Sequence, residues 1–171
     1  MINKPKLLFV GALCLSTALF GVNAAMAKVF SIPSADALAT VNIPDDWEPT
    51  ETDNGLEMQS PEGDIYLSIE GVHADKIASA VEESVKVLAS QGLVIDTASQ
   101  KTKDQEFGGL KIHTFEYDAK DNDGPTEFAV TLVETRAPER FVLLSAWGTA
   151  EAQKTNDAAL GEILHSLQLT K

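Results

Sequence analysis

The chain has 171 residues, 13 basic and 26 acidic, for a formal charge of −13. So anionic a surface argues against nucleic acid and anionic membranes as partners, since both demand basic patches. A single cysteine, Cys14, rules out a disulfide framework.

Residues 1–27 begin with Lys4 and Lys6, continue through an uncharged apolar run from about residue 7 to 22, and end in small residues at Ala25, Met26 and Ala27. This three-part layout predicts a secretory signal cleaved after Ala27, and hence a periplasmic or secreted protein. The run is short of the roughly 20 residues a bilayer span needs. Gly11, Ser16, Thr17 and Gly21 interrupt it, so no stable membrane insertion is expected after cleavage. Cys14 lies inside the run behind the bulky Leu13, which argues against a lipid anchor. Without a 27-residue leader, 144 residues remain, enough for one domain over 28–171. Lys4 and Lys6 leave with the leader and no acid does, so the remainder holds 11 basic and 26 acidic residues, −15. Such a charge reads as a solvated acidic coat, or as a surface for basic partners or divalent cations.

Residues 28–40 read as an arm of mixed polarity. Residues 39–43 read as a short strand that must stop or lie at an edge at Pro44. Asp53, Asn54 and Gly55 signal a turn, 56–59 a brief strand, and Pro61, Glu62 and Gly63 another turn. Over 64–70, Ile65, Leu67 and Ile69 alternate with Tyr66, Ser68 and Glu70, a period of two. From Asp75 the period lengthens. Ile77, Val81, Val85 and Leu88 fall on one helical face, Glu82 precedes Lys86 by four, and Gly92 stops the helix. Residues 93–107 read as one long, weakly alternating strand. Gly108 and Gly109 form a tight turn, and 110–117 alternates with His113, Phe115 and Tyr117 on one face. The run Asp121, Asn122, Asp123, Gly124 predicts a hairpin into 127–134. Residues 141–147 are almost wholly apolar, as in a strand buried on both faces. Thr149 is a candidate N-cap for a last helix with Leu160, Ile163, Leu164 and Leu167 on its apolar face. This pattern predicts an α+β protein, a mainly antiparallel sheet flanked by two long helices, with 110–147 at the sheet centre. Aspartate at Ile163 or Val81 is expected to unfold it.

The sequence resembles the Mog1/PsbP-like superfamily, in particular its small secreted bacterial members. The residues that carry the resemblance are Ile43 to Trp47, the turn at Phe107, Gly108, Gly109 and Leu110, the apolar strand ending at Trp147, and the closing helix with Ile163, Leu164, Ser166 and Leu167. The resemblance implies an α/β/α sandwich and a mostly non-enzymatic, accessory role. It transfers no site residue.

Asp118, Asp121, Asp123 and Glu127 could offer oxygens to calcium. With Gly124 at the sixth position of a calcium loop, however, the end positions are Ala119 and Val130, which are not ligands. A hairpin turn accounts for the same residues. His73, His113 and His165 are scattered, so no metal site is expected. His113 reads as a packed or rim histidine, and Trp147 as core. Serines such as Ser31, Ser60, Ser68 and Ser145 lack a G-x-S-x-G elbow, the mature chain lacks a thiol, and no phosphate-binding glycine loop occurs. No enzyme and no cofactor are therefore expected. Trp47 either closes the sheet end as a lid or joins Asp45, Asp46 and Glu48 in an acidic-aromatic rim for a basic protein partner. The function expected is a non-catalytic binding or accessory protein. A small-ligand or divalent-cation module is the alternative, and a hydrolase ranks last.

Overall fold

The computed structural model describes residues 27–122 and 124–170. The predicted leader, but for Ala27, and Asp123 of the acidic turn lie outside them. The strands are β1 (Ala27–Ile32), β2 (Ala39–Pro44), β3 (Thr50–Glu51), β4 (Gly55–Gln59), β5 (Ile65–His73), β6 (Val94–Ile95), β7 (Lys101–Phe107), β8 (Leu110–Asp121), β9 (Gly124–Glu134), β10 (Arg140–Gly148) and β11 (Gln168–Leu169). The helices are α1 (Ile77–Ser90, 14 residues) and α2 (Ala150–His165, 16 residues).

Every strand pairing is antiparallel. The large sheet runs β3-β4-β5-β10-β9-β8-β6, with β7 also on β8, and a three-stranded sheet runs β1-β2-β11. β10 lies between β5 and β9, so the apolar 141–147 run is central, as its composition predicts. Its alternate residues feed two cores on opposite sides of the sheet. Val142 and Leu144 join Ile65, Leu67, Ile69 and Ile163 on one side. Leu143 joins Val72, Leu88, Phe128 and Val130 on the other. α1 packs through Ile77, Val81 and Val85 onto the second core, and α2 brings Ala152 and Ile163 to the first. Thr149 caps α2, accepting a hydrogen bond from the Ala152 amide at 3.1 Å.

Three expectations need correction. The arm at 28–40 begins as a strand: β1 pairs with β2 along its whole length, Ala27 facing Pro44 and Ile32 facing Ala39. A second sheet therefore exists where a single one was expected. The strand over 93–107 is broken after Ile95, because the Asp96 carboxylate accepts from the Ala98 amide and starts a 3-10 turn. The apolar faces of the helices are less deeply buried than their periodicity suggests. In α1 only Leu88 is fully buried, Leu164 of α2 is 45% exposed, and Leu167 lies beyond α2.

The turn glycines behave as read. Gly108 and Gly109 have φ of 58° and 81°, the left-handed pair a type I′ hairpin needs between β7 and β8. The free edge of β7 carries Lys101, Lys103, Asp104 and Glu106, charges that discourage pairing with another chain.

Candidate functional site

The segment singled out for a basic partner divides in two. Asp45–Trp47 form one 3-10 turn after Pro44. Three residues per turn send the two aspartates and the indole in different directions. Asp45, Asp46 and Glu48 are exposed, whereas Trp47 is 1% exposed inside the first core. Trp47 is thus the lid of the sheet end and cannot form a binding rim, because its ring has no surface left to offer. Only the three carboxylates remain available there.

The histidines do not converge. His73 stands 3.9 Å from Asp75, and His165 Nδ1 lies 2.6 Å from the Gly161 carbonyl oxygen. His113 is a rim residue, with Nδ1 2.9 Å from Asp104 and Nε2 3.2 Å from Glu134. Carboxylates on opposite ring nitrogens cannot share one metal ion, and they leave no nitrogen to deprotonate a nucleophile. Among the described residues no group of three or more His, Cys, Asp or Glu side chains could hold a metal. The hydrogen bond to Asp104, then that to Glu134, holds the His113 pKa above its ordinary 6.5. The stabilisation this gives is complete below pH 6.5 and is lost as pH rises through the raised value; solvent exposure keeps it small. The ring titration followed by NMR is expected to show a midpoint above 6.5 that drops in Asp104→Asn. A midpoint at or below 6.5 in the unaltered protein would contradict the two-carboxylate geometry. Ser60, another sequence candidate, is a turn residue whose Oγ accepts from the Asp64 and Ile65 amides at 3.1 and 2.9 Å.

One acidic site was not singled out by sequence. A cleft of about 310 Å³ opens between α1 and the β3–β4–β5 corner. Asp53 comes from the β3–β4 turn, Glu57 from β4, Glu70 from β5 and Glu83 from α1, over a floor of Tyr66 and Ser68. The register places Glu57 opposite Ser68 and Gly55 opposite Glu70. Gly55 permits this approach, because a Cβ there would overlap the Ile69 carbonyl oxygen and lie 2.9 Å from the Glu70 Cα. Burial first, then the charges of Glu57 and Glu83, pushes the Glu70 carboxyl above its ordinary range. Burial, then Glu57, pushes the Tyr66 phenol up to about 12. Among the described residues no lysine, arginine or histidine forms a salt bridge with any of the four acids. The cleft thus concentrates negative charge, with Lys86, paired to Glu82, a cation within electrostatic reach of Glu83. Half of it was visible as the polar alternation of Tyr66, Ser68 and Glu70; the rest depends on α1 lying across that strand face.

No family model matches the sequence, and no curated protein does. Among solved structures, the chain is similar to cyanobacterial PsbP (CyanoP) from Synechocystis sp. PCC 6803. The TM-score is 0.56 at 11% identity, over 87% of this chain and 95% of that one. The chain has the Mog1/PsbP-like fold. LpqN of Mycobacterium tuberculosis, described as involved in cell envelope biogenesis, is similar at a TM-score of 0.51 and 13% identity, over 85% of this chain and 92% of that one. The Ran-binding protein Mog1p of Saccharomyces cerevisiae aligns more loosely, with a TM-score of 0.48 and 12% identity over 86% and 97%. At these identities the Mog1/PsbP-like likeness fixes the architecture, and function has to be argued from the site. No helix of the described residues is long and apolar enough to cross a membrane.

Proposed function

We propose that the protein is an exported, non-catalytic binding or accessory protein that engages a basic protein partner through its acidic surface. The observation that supports this reading is the α1–β5 cleft, which four carboxylates line and where burial and the charges of Glu57 and Glu83 push the Glu70 carboxyl above its ordinary range. A lysine or arginine side chain from a partner entering the cleft relieves that repulsion. Asp45, Asp46 and Glu48 add exposed negative charge elsewhere, which steers approach without fixing a pose. An envelope role agrees with the leader-like N-terminus and with what is said of LpqN.

Glu70→Gln separates this reading from a merely structural one. Because the folded carboxyl titrates above its ordinary 4.5, Glu70 lowers stability as pH rises past that value. The amide variant should melt about 2 °C higher at pH 7, a small gain because the site is partly open to solvent, and the gain should vanish near pH 4. At the same time it should weaken binding of a lysine-rich peptide by roughly tenfold, a loss of about 1.4 kcal/mol. Binding to the unaltered protein should fall steeply with salt, since the Debye length shrinks to about 3 Å at 1 M. Calorimetry at low and high salt measures this. Binding that ignores both the substitution and the salt would overturn the proposal.

A further inference from the structure

On the opposite face of the large sheet, α2 packs mainly onto β2 and β5. Two apolar cavities lie along its open flank, of about 340 and 160 Å³. Both are lined by Thr131 of β9 and Leu164 of α2, so they adjoin there as a wide and a narrow part of a slot. Leu110, Ile112, Val133 and Leu167 line the wider part, and Ala129, Ala146 and Leu160 the narrower. The hydroxyls of Thr114 and Thr131 lie 3.2 Å apart and satisfy each other, so the floor does not depend on a polar ligand. Together the two volumes fall within the range of small-molecule sites, roughly 300–1,000 Å³. Leu164 stands 45% exposed over this slot, an apolar surface that water covers at a cost.

The wide end opens into a polar cavity of about 530 Å³ that shares Leu110 and Leu167 with the slot. Lys111 and Arg136 line it. Glu134, the acid among its lining residues, is already held by Lys111 at 3.3 Å and His113 at 3.2 Å. Arg136 is exposed, and among the described residues no carboxylate reaches it within salt-bridge distance. In a molecule of net charge −13, an apolar slot thus ends at a cationic mouth.

We propose that this slot binds one single-chain anionic amphiphile, a long-chain fatty acid, with its carboxylate at Arg136 and Lys111 and its chain lying between Leu164 and the β8–β9 floor. The charge at the mouth selects the anion, and the linear, hydroxyl-quenched floor selects an alkyl chain. This inference is independent of the acidic cleft, which lies against α1 on the other sheet face.

The test is calorimetric titration of the full chain with straight-chain carboxylates from eight to sixteen carbons, kept below their micelle concentrations. Affinity should rise about fourfold per methylene while the slot fills, then level off. Leu164→Gln, at an exposed helix position, should weaken binding at least tenfold without moving the melting temperature. Arg136→Gln should sharply reduce the preference for a carboxylate over the matching alcohol while leaving the alcohol's affinity unchanged. Glu70→Gln should alter none of this. The proposal would be overturned by no binding, by affinity indifferent to chain length, or by Leu164→Gln binding as well as the unaltered protein. So would saturable binding of an amphipathic helical peptide at this slot with no uptake of fatty acid, which would assign it to a protein partner.

Discussion

Ile163→Asp is expected to leave no folded protein at 25 °C. Ile163 is 1% exposed and sits in the first core with Val41, Trp47, Leu67 and Leu144. A carboxylate placed there has no cation to meet, and burying an unpaired charge costs several kcal/mol. Domains of this size are stable by only about 5–15 kcal/mol in total. The matching change in α1, Val81→Asp, should be milder, contrary to the expectation from sequence periodicity. Val81 is half-buried, so its carboxylate can turn to solvent and the loss should be about 1–2 kcal/mol. Circular dichroism melts of the two variants measure the contrast. A cooperative transition at the unaltered temperature in Ile163→Asp would show that α2 does not bury this face.

Trp47→Ala should cost about 3–5 kcal/mol, the usual range for emptying a large aromatic site in a packed core. The indole is among the largest fully buried side chains and touches the core that β2, β4 and β5 share. Its neighbours should behave otherwise. Asp45→Asn, Asp46→Asn and Glu48→Gln alter exposed carboxylates, and each should change stability by about 0.5 kcal/mol or less. Urea unfolding with an unchanged m-value is the measurement. A Trp47→Ala loss under about 1 kcal/mol would return the indole to the surface and revive the acidic-aromatic rim.

Much of the architecture was readable where a local rule and the tertiary structure agree. The alternation at 64–70 gave β5, the paired glycines the β7–β8 hairpin, and Thr149 the start of α2. What escaped depends on partners far away in the chain. β11 is two residues long and exists only because Gln168 and Leu169 face Thr40 and Ala39. β1 carries three exposed residues before its first buried one, so its composition looks like a loop until β2 lies beside it. Trp47 posed a question of direction, which the 3-10 turn decides and which no pattern of residue types encodes. The acidic cleft draws Asp53, Glu57, Glu70 and Glu83 from four separate segments, and the slot takes its lining from α2 and from strands distant in the chain.

β2 is held between the first strand of the described chain and the last. Its partner β1 lies far ahead of β11 in the sequence, so the small sheet ties together the two ends of the described chain. The small sheet is therefore complete only when residues 168 and 169 have reached β2. The β2–β11 pairing spans most of the described chain, so it closes later than the local hairpins of the large sheet.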